Sequence, residues 1–212
     1  MKTIEKRAQA EIVVKKSRFI ATLAPALDKQ EAEAFVAEMK KKYWDARHNC
    51  SAYILPPENA GDTMYVHSSD DGEPSGTAGK PMLSVLQGAE ICGAVVVVTR
   101  YFGGVLLGTG GLVRAYQDAV SEAIKEAELF EQRNVKEVNI TLDYTLWGKL
   151  ENLIRQHEDI VADEPIYGEK VSIRLLFPSE RSEQYTDMIV QAVNGKAEIN
   201  TGDETTVNVP VK

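Results

Sequence analysis

Apolar positions recur along this chain with two periods, and the switches between them outline its elements. Alternation in Glu11-Ile12-Val13-Val14-Lys15 and in Arg18-Phe19-Ile20-Ala21-Thr22-Leu23 predicts a hairpin turning near Lys16-Ser17. Asp28 with Glu31 three residues on has capping-box spacing and starts a helix through about Lys42, with Phe35, Val36 and Met39 as its apolar stripe. Lys40-Lys41-Lys42 fall in its last turn, where cations suit the helix dipole. Asn49 to Leu55 reads as a strand stopped by Pro56-Pro57. A helix from Pro81, a favoured first helical residue, to about Gln87 turns Met82, Leu83, Val85 and Leu86 toward a core. Ala94 to Val98 is apolar at every position, as a central strand covered on both faces is. Thr109 is the predicted N-cap of a further helix, in which Leu112, Tyr116, Ala119, Val120, Ala123 and Ala127 follow helical spacing.

From Val135 the pattern restarts. Val138 to Leu142 alternates as a strand, Leu146 to Gln156 is helical, and Ile160-Val161-Ala162 and Lys170 to Phe177 read as two more strands. Glu180 to Val193 is a second helix stopped by Asn194-Gly195, and Ala197 to Val209 closes with a strand. That β-α-β-β-α-β order is the ferredoxin-like pattern. The fold class is therefore α+β, in two domains of residues 1–132 and 133–212, with the boundary near Glu131 to Asn134.

At 212 residues, 43% hydrophobic and 26% charged, the composition is that of an ordinary globular protein. The net charge of −8 argues against a generally basic nucleic-acid binder, although local patches matter more than totals. Through Gln132 there are 15 basic against 18 acidic residues, and beyond it 9 against 14, so the second half is the poorer match to phosphates. Cys50 and Cys92 are the only cysteines and have no metal-ligand spacing, which fits a reducing compartment. No apolar segment follows the charges of Met1 to Arg7, and the run Ala94–Val98 is far short of the roughly 20 residues that span a bilayer. The expectation is a cytoplasmic protein without membrane contact.

Ten of the fifteen glycines lie between residues 70 and 116, around the two central helix starts. Glycine at that density marks backbone that turns sharply or approaches something closely. The first amides of a helix lack internal partners, and the dipole adds partial positive charge, so such starts suit an anion. Gly76, Thr77, Gly79 and Lys80 surround the first start; Gly103, Gly104, Gly108, Thr109, Gly110 and Gly111 surround the second. Arg100, Tyr101 and Arg114 stand nearby in sequence, and either guanidinium can grip an oxyanion bidentately. The competing reading is structural: the glycines permit a tight strand-to-helix passage, while the arginines pair with Asp70, Asp71 or Glu73. The spacing is neither GxxxxGK[ST] nor a GxGxxG after a strand, which disfavours a P-loop and a Rossmann site.

Asp70, Asp71 and Glu73 could hold a divalent cation, but an exposed turn or ion-pair partners fit them better, and no metal site is expected. His48 and Cys50 are two apart on a predicted strand and share a face. They read either as a nucleophile pair or as a buried thiol beside a hydrogen-bonded histidine. Lys15, Lys16, Arg18, Lys40 to Lys42 and Arg47 lie beside Tyr43, Trp44 and Tyr101, which read equally as contacts for phosphates and unpaired bases or as solvated helix ends with core aromatics.

The stretch Asp70-Asp71-Gly72-Glu73-Pro74-Ser75-Gly76-Thr77-Ala78-Gly79-Lys80-Pro81 resembles the central motif of the IMPACT family, including its bacterial YigZ-like members. Val96 to Gly104, Gly108 to Tyr116 and His48-Asn49-Cys50 agree with the same family, so the resemblance covers about residues 15 to 125. It implies an N-terminal ribosomal-protein-like β-α domain, similar to domain IV of elongation factor G, and a ferredoxin-like C-terminal domain similar to that factor's domain V. Eukaryotic relatives regulate translation, partly through an additional N-terminal domain. For bacterial members the resemblance implies a link to RNA or the ribosome and no established reaction.

The reading that joins these observations is a non-enzymatic protein that binds RNA or the ribosome in regulation of translation, without a cofactor. A protein partner in translation control is compatible with it. Two alternatives stand beside it: an enzyme or binding protein for a small phosphate- or carboxylate-bearing ligand at the glycine-rich helix starts, and a protein–protein interaction module.

Overall fold

The computed structural model describes residues 1–57 and 63–211, so Lys212, the last residue of the second predicted domain, lies outside the described residues. The chain divides into two units. The first runs through Glu131 and takes in the residues from Val209 on; the second is Gln132–Asn208. The second unit thus stops short of the chain end, because the Val211 amide donates to Leu129 O at 2.8 Å and ties the last residues to the first unit.

In the first unit the elements are β1 (Lys2–Ile4), β2 (Ala8–Val14), β3 (Ser17–Pro25), α1 (Lys29–Lys42), β4 (His48–Leu55), β5 (Tyr65–Ser69), α2 (Gly79–Gly88), β6 (Ala94–Tyr101) and α3 (Thr109–Lys125). Five strands form one antiparallel sheet in the order β2-β3-β6-β4-β5. The hairpin predicted from alternation turns at Lys15 and Lys16, both at positive φ as the tight primed hairpin turns require. β6 lies at the sheet centre. Its Val96 and Val98 face the core under α2 and α3, while Val95 and Val97 face α1, which explains a run apolar at every position. Burying each such valine stabilises the fold by about 1.5–3 kcal/mol.

Helix α1 opens at the predicted Asp28 cap, with the returning bond of the capping box made one residue earlier than usual. The Asp28 carboxylate accepts from the Glu31 amide at 2.8 Å, and the Glu31 carboxylate accepts from the Leu27 amide at 2.8 Å. Two starts differ from expectation. α2 begins at Gly79, two residues before Pro81, because the amides there find an acceptor in Asp70. α3 takes Gly108, not Thr109, as its N-cap; Gly108 sits at φ 74°, and Thr109 is already helical. β1 pairs with Leu129–Glu131, the opening residues of β7 (Leu129–Leu142).

In the second unit the rest of β7 is followed by α4 (Tyr144–Gln156), β8 (Val161–Ala162), β9 (Ile166–Tyr167), β10 (Val171–Pro178), α5 (Ser182–Ala192) and β11 (Ala197–Pro210). β10 pairs antiparallel with β7 and β8, and β11 pairs with β7, giving the order β11-β7-β10-β8. With two helices this is the ferredoxin-like βαββαβ arrangement. Its core gathers Val138, Ile140, Leu142, Leu150, Phe177, Tyr185 and Ile189.

Candidate anion and nucleic-acid site

The strand pairing His48↔Arg100 sets one end of the first unit's sheet, and alternation decides which side chains meet there. His48 and Cys50 on β4 and Arg100 on β6 fall on the face covered by α2 and α3. Tyr101, one residue on, points to the opposite face, where its hydroxyl donates to Asp45 at 2.8 Å. Arg100 and Tyr101 therefore cannot grip one ligand from the same side.

Arg100 is buried, its side chain 7% exposed, and its Nη1 donates to Glu73 Oε1 at 2.5 Å; the Glu73 side chain is 2% exposed. Tyr116, reaching in from α3, donates its hydroxyl to the same Glu73 oxygen at 2.9 Å. A buried pair of this kind persists because each charge is hydrogen-bonded, and removing either partner strands the other. The Arg100 Nε is buried without a partner. Of the two ways the arginines could serve, Arg100 thus takes the ion pair with Glu73, whereas Arg114 is exposed on α3.

His48 and Cys50 do not bond to each other. His48 Nδ1 faces Asp71 O at 2.9 Å, so that nitrogen carries the proton. Cys50 Sγ lies 3.0 Å from Asp70 O and 3.3 Å from the Tyr116 hydroxyl, and its single S–H can serve one at a time. Burial pushes the Cys50 thiol up to about 12, with the carboxylates of Glu73, Asp71 and Asp70 adding to it. It stays protonated at neutral pH and is a poor nucleophile. Burial likewise drives the Tyr116 phenol well above its ordinary range.

The two glycine-rich helix starts turn out to be differently occupied. At α2 the Asp70 carboxylate accepts from the amides of Gly76 at 2.7 Å, Ala78 at 3.0 Å and Gly79 at 2.8 Å. Thr77 is buried and donates its hydroxyl to Pro74 O, and Lys80 is exposed nearby. Asp71 accepts from the Asn49 amide at 2.7 Å and from Lys40 at 2.5 Å. The chain itself fills this anion position. At α3 no side chain caps the helix: the first helical bond runs from the Leu112 amide to Gly108 O, leaving the amides of Thr109, Gly110 and Gly111 ahead of it.

The α3 start opens on a cleft of about 560 Å³ lined by Arg47, His48, Glu73, Arg100, Phe102, Leu106 and Thr109, among others. Gly103 and Gly104 belong to the loop between β6 and α3 that forms one wall. A Cβ on Gly103 would stand 2.0 Å from the Lys16 carbonyl carbon, so only glycine lets this loop lie against the hairpin turn. Arg47 sits 6.0 Å from the Phe102 ring centroid and Arg100 5.7 Å from it. Phe102 and Tyr116 carry no charge and were readable in sequence only as apolar positions. For Tyr116 a signal existed: a tyrosine on the buried stripe of a helix needs a partner for its hydroxyl. Among the described residues no group of histidine, cysteine and carboxylate side chains is placed to hold a metal, and no helix is long and apolar enough to cross a membrane.

Comparison with known proteins agrees with this architecture. Residues 15–124 match the Impact N-terminal domain, and residues 140–196 match a domain of unknown function, DUF1949. The IMPACT family member YvyE of Bacillus subtilis (strain 168) is 38% identical over 204 residues, covering 96% of this chain and 91% of its own. The family member YigZ of Escherichia coli (strain K12) is 34% identical over 186 residues, covering 88% of this chain and 90% of its own. A crystal structure of a hypothetical protein, 32% identical, covers 95% of this chain and 97% of its own with a TM-score of 0.57. The chain belongs to the IMPACT family.

Proposed function

We propose that this chain is a non-enzymatic protein that binds RNA or the ribosome in the regulation of translation. The observation that carries the reading is the loop end of the first unit's sheet. There Arg47, Arg100, Phe102 and Leu106 line the cleft, with Phe102 41% and Leu106 83% exposed, and the Lys16 backbone lies against Gly103 in the loop that forms one wall. Cations interleaved with exposed rings are what phosphates and unpaired bases bind. The protonated, buried Cys50 thiol speaks against nucleophilic catalysis there. Membership of a family whose eukaryotic members regulate translation supports the same reading.

The test is co-sedimentation with ribosomes across a salt series, comparing the wild type with an Arg47→Ala/Arg114→Ala variant. Both arginines are exposed, so the variant keeps its fold; Arg100 is unsuitable because its loss would strand Glu73. Wild-type pelleting should weaken as salt rises, and the variant should bind less, with a salt slope shallower by about one per lost phosphate contact. Equal, salt-independent pelleting of both proteins would overturn the reading.

A further inference from the structure

We propose that the cleft at the α3 start is a pocket for a nucleoside monophosphate, either a free nucleotide or the 5′-phosphorylated end of an RNA strand. Only the second source rests on the RNA reading. Three independent features converge on this chemistry. The amides of Thr109, Gly110 and Gly111 precede the first helical bond of a 17-residue helix and have no side-chain cap, the arrangement that receives phosphate elsewhere, and Gly108, Thr109 and Leu112 of this start line the cleft. Arg100 forms part of the cleft wall with its side chain 7% exposed, one nitrogen on Glu73 and its Nε buried without a partner. A guanidinium so placed has donor capacity that Glu73 does not use. Phe102, 41% exposed and with Arg47 6.0 Å from its ring, supplies the flat apolar and cationic surfaces on which a base stacks.

Charge and size agree. Glu73 compensates Arg100, leaving Arg47 and the helix dipole to face one anionic group. The volume of about 560 Å³ lies in the range of pockets that hold one small ligand. The α2 start shows what such a group would replace: there a carboxylate of the chain itself takes three amides.

The test compares two fluorescent single-stranded RNAs of one sequence, one with a 5′-phosphate and one with a 5′-hydroxyl, with adenosine monophosphate as competitor. The variants are Gly110→Asp and Gly110→Ala. A Cβ at Gly110 meets nothing within 4 Å, and an acidic side chain in the first turn suits the dipole, so neither variant should lower the melting temperature. The wild type and Gly110→Ala should prefer the phosphorylated RNA by about tenfold, as a charge-assisted hydrogen bond contributes. Adenosine monophosphate should displace it, and Gly110→Asp should lose the preference. Equal binding of both RNAs with no competition overturns the pocket and leaves the RNA reading standing. Binding of adenosine monophosphate without binding of either RNA supports the pocket with a free nucleotide as its ligand and overturns the RNA end as its source. A preference that survives in Gly110→Asp overturns the pocket's location.

Discussion

The Asp70 carboxylate accepts three amide hydrogen bonds, and that geometry makes its contribution to stability depend on pH. Burial works to raise its pKa, but the amides of Gly76, Gly79 and Ala78 together outweigh burial and hold it below the ordinary value. In the unfolded chain the group titrates near about 3.9. Its contribution is therefore complete above that pH and is lost as pH falls through the lower native value. Asp70→Ala should cost about 1–2 kcal/mol at pH 7 in urea unfolding, typical of losing a helix cap, and the difference from wild type should shrink in acid. Much of this was unreadable from spacing. Arg100 is visible as the charged end of an apolar strand, yet its choice of Glu73 over Asp70 or Asp71 depends on a loop that turns through positive φ at Asp71 and Gly72. Neither the reach of Asp70 to amides six to nine residues ahead nor the hydroxyl role of Tyr116 leaves a periodic trace.

Among elements, β1 went unread although Ile4 joins the core, because three residues are too short for a period, and β11 was read although none of its residues is fully buried. β3, β4, β6 and α1 each carry apolar side chains into a core, and alternation or helical spacing located them. β5 is mostly exposed and is held by backbone pairing to β4, and the two-residue β9 pairs likewise with β10, so neither has a pattern to read. The α3 cap shifts from Thr109 to Gly108 because the chain enters the helix through a positive φ of 74°, which glycine adopts without strain, and no hydroxyl caps the first amides. The loop before it depends on Gly103. Gly103→Ala should destabilise the protein by about 1–3 kcal/mol, the range for overpacking against atoms that cannot move aside, whereas Gly110→Ala should be neutral or stabilising. Thermal unfolding of the two variants side by side checks the contrast.

For the whole molecule, the restart of the pattern near Val135 predicted two cores, and the core residues divide accordingly: the second unit's cluster shares no member with the first unit's two. Leu150→Ala, at a fully buried position, should lower the opening free energy of amides in the 135–142 part of β7 and in β10 by about 2–5 kcal/mol. Amides in β3 and β6 should keep theirs, and hydrogen exchange resolved by residue distinguishes the two sets. Equal loss in both would contradict separate cores. Basic residues beside aromatics were legible as local points, but not which of them border the cleft. The −8 balance hides a loop end that brings Arg47 and Phe102 to one cleft, with the Lys16 backbone against its loop wall, from positions far apart in sequence.

The two glycine-rich helix starts amount to one socket made twice, with a plug in only one of them. At α2 the plug is Asp70, reaching forward across its loop to Gly79; at α3 no side chain of the loop reaches the first amides, and the cap is Gly108. Without a carboxylate in reach, the α3 start keeps its first amides ahead of the first helical bond and without a side-chain cap. The plugged copy is thus an internal standard for the open one, carrying in the same molecule the contacts that a guest would have to match.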